Sequence, residues 1–154
     1  MNRIIFVLLL SLMAASNCHA NEKDHAFLTI NKLFTAMSKF DHQGMRGTVT
    51  DSFVLLEHGE VWSIDDLIKV VSPSEYVRTN YFSIIKLEIK YDIAIVNYWN
   101  KANFNNKHTS EDVIWLESAV LEKINGQWLL SQMHSTRLSS GTSPKNVKFI
   151  KQKE

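Results

Sequence analysis

The second half of the sequence contains four consecutive segments with the composition of β-strands, separated only by short turns. The segments are rich in β-branched and aromatic residues and cover residues 76–90, 93–104, 107–124 and 127–138. Tyr91-Asp92 separates the first two, and Asn125-Gly126, the strongest two-residue hairpin signal, separates the last two. Because strands joined by such short turns pair with their sequence neighbours, the pattern predicts an antiparallel meander.

The first half of the chain is predicted to begin with one long helix. From Asp24 to Asp41 the apolar residues recur at spacings of three and four, which is typical of a single buried stripe along a helix. Residues 42–50 contain Gly44 and Gly47, both poor helix formers, so we expect a short second helix or a turn there.

A hairpin and a third helix are predicted between the long helix and the meander. Residues 51–57 and 60–62 are extended in pattern and flank the turn dipeptide His58-Gly59. Ser63, with Asp66 three residues later, has the spacing of an N-cap ahead of a helix over 64–71. Helices followed by an antiparallel sheet indicate an α+β domain.

Residues 1–20 are predicted to be a secretory signal peptide. A basic residue precedes an apolar run over 4–13, and the segment ends with a small residue, Ala20. The run is shorter than the ~20 residues of a transmembrane helix, so we expect no stable membrane insertion and a periplasmic or secreted protein. Lipid attachment to Cys18 is the alternative, although Asn17 stands where lipoprotein signals place a small residue.

The composition and motifs of the predicted mature chain argue against several classes of binding site. If cleavage follows Ala20, the only cysteine, Cys18, leaves with the signal peptide. Arg3 leaves with it, so the mature chain has 16 basic and 16 acidic residues. This balance gives no indication of nucleic-acid binding. The histidines lack metal-ligand spacing, and neither a glycine-rich phosphate loop nor a Gly-x-Ser-x-Gly motif is present. We therefore expect no metal and no cofactor.

The end of the chain is predicted to be a flexible basic tail over residues 139–154. Residues 139–144 have the Ser, Gly, Thr and Pro composition of a linker. Four lysines follow within the last ten residues: Lys145, Lys148, Lys151 and Lys153. A solvated terminus is the simple interpretation, and a weak electrostatic tether to anionic lipid is the alternative.

The final hairpin supplies a candidate acid–base pair. If Asn125-Gly126 is a two-residue turn and the register is unbroken, Glu117 lies directly opposite His134 on one face. A carboxylate beside an imidazole in an enclosed pocket supports proton transfer. The same pair as a structural cross-strand contact contributes only roughly 0.2–1 kcal/mol to the sheet. The sequence is compatible with both interpretations.

Residues 24–138 resemble the nuclear transport factor 2-like superfamily in the order of their elements. The last hairpin is similar to the SnoaL-like branch, with a Gly-x-Trp turn at Gly126-Gln127-Trp128 and a His-x-Thr ending at 134–136. The resemblance implies a cone, in which a strongly curved sheet wraps around about three helices and the open end leaves an apolar pocket. Trp128 is then expected in the core.

The resemblance also implies candidate site residues. Ketosteroid isomerase-like enzymes of this fold use a pocket carboxylate as a base, which makes Asp41 a catalytic candidate at the end of the first helix. Its alternative is a structural hydrogen bond to the backbone of the following turn. Phe53, Tyr98 and Trp115 are the candidates for binding a ligand in the pocket.

The sequence therefore favours an exported SnoaL-like domain, residues 21–138, that binds a small and partly apolar molecule without an established activity. The alternative is a cofactor-independent isomerase, cyclase or dehydratase in which Asp41, Glu117 and His134 share proton transfer. A third hypothesis is an association module. A sheet with aromatic residues on both faces also predicts a homodimer.

Overall fold

The computed structural model describes residues 22–152, and the predicted signal peptide lies outside the described residues. The helices are α1 (22–39), α2 (His42–Arg46) and α3 (Ile64–Val70). The strands are β1 (Val49–Glu57), β2 (Glu60–Trp62), β3 (Val77–Lys90), β4 (Ile93–Asn105), β5 (Ser110–Ile124), β6 (Gln127–Arg137) and β7 (Ile150–Lys151). Within the described part of the chain, no helix has the length and apolar character needed to cross a membrane.

The strands form one open, curved sheet in the order β2-β1-β6-β5-β4-β3-β7. The pairs are antiparallel except β1 with β6, so the predicted α+β class and the meander β3 to β6 are confirmed. Helix α1 packs on the inner face through a cluster of rings. Phe27 and Phe34 contact Phe82, and Phe27 and Phe82 contact Tyr98, with centroids 5.3–6.0 Å apart.

Both glycine-containing hairpin turns form as predicted. Asn125 and Gly126 have φ angles of 51° and 80°, and His58 and Gly59 have φ angles of 55° and 77°. Two consecutive positive φ angles match the twist of the flanking strands, which explains the preference for Asn-Gly. Trp128, two residues beyond the turn, is buried in the core as predicted.

The register of the last hairpin differs from the predicted one because β6 contains a bulge. Leu121 pairs with Leu130, but Val120 pairs with Gln132, so Ser131 is the extra residue. Beyond that point every pair is displaced by one residue. The bulge keeps Met133 on the buried face, whereas an unbroken register would turn it toward solvent.

Part of the segment predicted to be a flexible basic tail forms a short strand. Ile150 and Lys151 form β7, which pairs with Phe82 and Tyr81 at the edge of the sheet. The Gln152 backbone N–H also donates to the Asn80 carbonyl oxygen at 2.9 Å. Backbone pairing along an otherwise open strand edge outweighs the solvation of a lysine-rich segment whose charged side chains stay exposed.

Candidate functional site

A cleft of about 770 Å³ opens where β3 begins and β4 ends. Three elements close its sides: the end of α1, helix α3 and the β1–β2 hairpin. Its lining is mostly apolar and aromatic, with a few charged groups, and it includes Met37, Phe40, Trp62, Leu67, Val71, Tyr76, Phe104, Glu57, Glu111 and Arg78. This mixture is typical of small-molecule sites.

The end of α1 brings Phe40 to the cleft through an uncommon backbone conformation. The Phe40 N–H donates to the Met37 carbonyl and the Asp41 N–H to the Ala36 carbonyl, which is the Schellman arrangement. Phe40 occupies the left-handed position of that turn, with φ 56°, where glycine is usual. An aromatic ring at this position lines the cleft, which a glycine would leave open.

Arg78, at the start of β3, is the positively charged group of the cleft. Its guanidinium carbon lies 5.3 Å from the ring centroid of Phe34, 5.5 Å from that of Phe104 and 6.0 Å from that of Trp115. These distances fall within the range of cation–π attraction. Burial lowers the pKa of Arg78 to about 10, partly opposed by Glu117 and Glu57, so the side chain remains a cation at neutral pH.

In the part of the chain that the structure describes, the terminal nitrogens of the Arg78 guanidinium group have no hydrogen-bond partner. Its Nε–H donates to Asn80 Oδ1 at 2.7 Å, and within residues 22–152 the guanidinium group makes no other hydrogen bond. In the same range no carboxylate lies within 4 Å of it. A partly buried cation is therefore held by one neutral partner and three rings, with donors left over for another group.

Behind Arg78, four polar side chains meet on the inner face of β4, β5 and β6, which we call the polar cluster. Glu117 Oε1 accepts from Asn100 Nδ2 at 3.4 Å and from Ser135 Oγ at 3.2 Å. The Tyr98 hydroxyl lies beside the same carboxyl group without regular hydrogen-bond geometry. Among the described residues, Glu117 Oε2, Asn100 Oδ1 and the Tyr98 hydroxyl have no partner.

Burial in the polar cluster changes the acidity of two groups. It raises the pKa of Glu117 to about 7, although hydrogen bonds from the cluster and the charge of Arg78 oppose the rise. Burial, with the adjacent carboxyl group, also raises the pKa of Tyr98 well above its ordinary value. Glu117 is thus close to half-protonated near neutral pH, and Tyr98 stays a phenol.

The predicted Glu117–His134 pair does not exist, because the bulge at Ser131 separates the two residues. Glu117 pairs with Ser135 and faces the interior, while His134 pairs with Ser118 and faces solvent on the outer side of the sheet. The interruption of the apolar alternation at Ser131-Gln132 was the sequence signal for this bulge. Asp41 does not line the cleft either. It is the N-cap of α2, where its side chain accepts a hydrogen bond from the Gly44 N–H at 2.8 Å.

The three predicted ligand-binding residues occupy different places. Phe53 is buried in the core and does not line the cleft. Tyr98 belongs to the polar cluster behind it, and Trp115 supports Arg78. Arg78 itself carried no sequence signal, since a single arginine between Val77 and Thr79 is unremarkable in a strand.

A larger groove of about 1230 Å³ runs between α1 and the end of the chain. Its positive charges are the exposed lysines Lys32, Lys39, Lys148 and Lys151. Among the described residues that line it, Asn31 has a buried side-chain oxygen, Oδ1, without a hydrogen-bond partner. The smaller cleft is the better candidate, because there an enclosed cation faces the open space.

Comparison with known proteins identifies the fold. The chain matches no protein-family model, and no curated protein matches it in sequence. Solved structures do match: a CaMKII hub homology domain from Chlamydomonas reinhardtii has a TM-score of 0.68 at 17% identity, covering 75% of this chain and 98% of that one. An NTF2-like protein from Cytophaga hutchinsonii has a TM-score of 0.63 at 17% identity, covering 75% and 97%.

A ketosteroid isomerase-like protein from Erwinia carotovora atroseptica matches as well, with a TM-score of 0.61 at 20% identity, covering 77% of this chain and 97% of that one. The chain has the nuclear transport factor 2-like fold, as its motifs predicted. Proteins of this fold include both association domains and isomerase-like proteins. The fold alone therefore leaves the function to the residues of the site.

Proposed function

We propose that this protein binds a small, partly apolar molecule with a single anionic group in the cleft, and that Arg78 anchors that group. The observation that carries the proposal is the partly buried guanidinium group, whose terminal donors have no hydrogen-bond partner within residues 22–152. A cation that leaves bulk water is costly unless a charged or strongly polar partner compensates. A carboxylate, sulfonate or phosphate monoester oxygen from a ligand supplies that partner, in the paired geometry that arginine favours.

The rest of the lining restricts the ligand further. Trp62, Tyr76 and Phe104 offer apolar and aromatic surface to the body of the molecule. Glu57 and Glu111 line the same cleft and disfavour a second negative charge. The site therefore fits a monoanion with an apolar body better than a polyanion such as a nucleotide.

Two fluorescent probes that differ mainly in charge test this proposal. Anilinonaphthalene sulfonate is an apolar monoanion, and N-phenylnaphthylamine is its uncharged counterpart. Replacing Arg78→Met keeps much of the side-chain volume and removes the charge. We expect the substitution to weaken binding of the sulfonate by ~10-fold or more, because a charge-assisted hydrogen bond contributes about 1.5–3 kcal/mol. Binding of the neutral probe should change little.

Lys148→Ala is the matched control, because it removes a positive charge from the larger groove and leaves the cleft intact. If Lys148→Ala weakens sulfonate binding as much as Arg78→Met does, the probe occupies the groove and the proposal is wrong. Equal losses for the two probes in Arg78→Met would indicate lost packing, which also contradicts an anionic anchor. Thermal unfolding of each variant checks that it is folded.

Self-association is the second candidate, and one surface favours it. Five apolar side chains lie on the outer face of β4 and β5, where the polar pair Asn97 and Ser118 separates them into two groups. We call this set the outer patch: Ile93, Ile95, Trp99, Leu116 and Val120. Ile93, Ile95 and Leu116 are 39%, 46% and 40% exposed, although they lie in the middle of the sheet. Apolar side chains that are this exposed in the middle of a sheet often pack against a partner. The association domains among the structural neighbours make a second copy the natural partner to test.

We also propose that the protein is exported, on the basis of its N-terminal sequence. Intact-mass analysis of the exported protein should give a chain that begins at Asn21. A diacylglyceryl group on Cys18 would instead show processing as a lipoprotein.

A further inference from the structure

A series of hydrogen bonds connects Gln152 to Arg78 in the cleft. We call residues 149–152 the C-terminal segment; it contains β7 and ends with Gln152. The Gln152 side-chain amide donates from Nε2 to the Asn31 carbonyl and to Thr35 Oγ1, both at 2.6 Å. These two bonds to α1 fix which way the Gln152 amide faces. Its Oε1 therefore points to Asn80.

Asn80 lies between the C-terminal segment and Arg78. Its Nδ2 donates to Gln152 Oε1 at 2.9 Å and to Ser38 Oγ at 2.8 Å, and it lies 3.3 Å from the Phe34 carbonyl oxygen. Its Oδ1 accepts from Arg78 Nε at 2.7 Å. Asn80 is only 4% exposed, so bulk water does not replace these partners.

The amide orientations depend on one another. A reversed Asn80 amide would place its NH₂ group against the Arg78 Nε–H and its oxygen against Gln152 Oε1, which makes two unfavourable contacts. Gln152 opposes that reversal because its own amide is fixed by α1. The backbone bond from Gln152 N to Asn80 O holds the same residue from the main chain. Asn80 Oδ1, which among the described residues is the one acceptor for the Arg78 guanidinium group, is thereby held in one orientation.

We infer that the C-terminal segment positions Arg78 through Asn80 and thereby sets the affinity of the cleft for an anionic group, with Gln152 as a positioning residue. This inference rests on the proposed function for its effect on binding. The hydrogen-bond relay, by which we mean the bonds from Gln152 to Asn80 and from Asn80 to Arg78, does not depend on the proposed function. The Arg78 Nε–H can be observed without any ligand. Gln152 is not among the residues that line the cleft, and its hydrogen bonds reach Arg78 only through Asn80.

The test uses the chain without residues 1–20 in three forms besides wild type. Gln152→Ala removes the side-chain link, a truncation after Lys148 removes the whole C-terminal segment, and Lys148→Ala is the control that changes charge next to the segment. The Arg78 Nε–H resonance is assigned in an NMR spectrum by its absence in Arg78→Met. Its chemical shift and exchange with water report the bond to Asn80.

We expect the resonance to shift and to exchange faster in Gln152→Ala, more so in the truncated chain, and to stay unchanged in Lys148→Ala. Affinity for anilinonaphthalene sulfonate should fall roughly threefold to tenfold in Gln152→Ala, the effect of one ordinary hydrogen bond. Affinity for N-phenylnaphthylamine should stay constant. If Gln152 had a merely structural role, Gln152→Ala would lower the affinity for both probes equally.

Two results separate the possible failures. If the resonance and the sulfonate affinity of Gln152→Ala both equal those of wild type, the inference is overturned, even if the truncated chain fails to fold. If wild type binds neither probe while the resonance still responds to Gln152→Ala, the proposed function is wrong. The inferred effect of Gln152 on ligand affinity is then wrong too, but the hydrogen-bond relay is supported.

Discussion

The carboxyl group of Glu117 is buried on the inner face of the sheet, and its pKa makes the free energy of unfolding depend on pH. Its folded-state pKa of about 7 lies above the ordinary value of 4.5. The folded state therefore binds the proton more tightly than the unfolded state does. The resulting stabilisation is complete below about pH 4.5 and is lost as the pH rises to about 7, where Glu117 ionises in place.

Glu117→Gln should remove this pH dependence, because the amide keeps the shape of the side chain and does not ionise. We expect the free energy of unfolding of the variant, relative to wild type, to increase between pH 4.5 and pH 7.5 by on the order of 3 kcal/mol. Urea denaturation at a series of pH values measures it. Glu122→Gln, on the outer face of the same strand, is the control. Parallel curves for wild type and Glu117→Gln would mean that Glu117 is not buried as described.

In strand β6, the single extra residue Ser131 determines which of the following side chains face the interior. Because the mature chain is predicted to lack cysteine, single cysteines placed along β6 can report which side chains face solvent. We expect a water-soluble maleimide to label Gln132→Cys and His134→Cys rapidly and Met133→Cys and Ser135→Cys slowly. The reverse labelling pattern would indicate that the register is unbroken and that Glu117 lies opposite His134.

The elements themselves follow from local sequence, but the site depends on contacts that local sequence does not contain. The apolar stripe of α1 and the Asn125-Gly126 turn each fix a local conformation, and both form as predicted. The bulge at Ser131 arises because burying Met133 outweighs one lost ladder position. The surroundings of Arg78 form only when α1, β4 and β5 bring three rings around its guanidinium group.

For the whole molecule, the outer patch predicts a homodimer. We expect wild type to sediment as a dimer at high micromolar concentration, and Ile95→Lys with Leu116→Lys to sediment as a monomer that remains folded, because the introduced charges would be costly to desolvate. Val61→Lys, an exposed position on edge strand β2, is the control and should leave the dimer intact. A monomeric wild type would rule out association through this surface.

The most direct test of the central claim is a crystal structure of the protein with anilinonaphthalene sulfonate bound. The account predicts sulfonate oxygens within about 3 Å of the terminal nitrogens of Arg78, with the rings of the probe against Trp62 or Phe104. A probe seated in the groove beside α1 or on the outer patch, with its sulfonate away from Arg78, would contradict it.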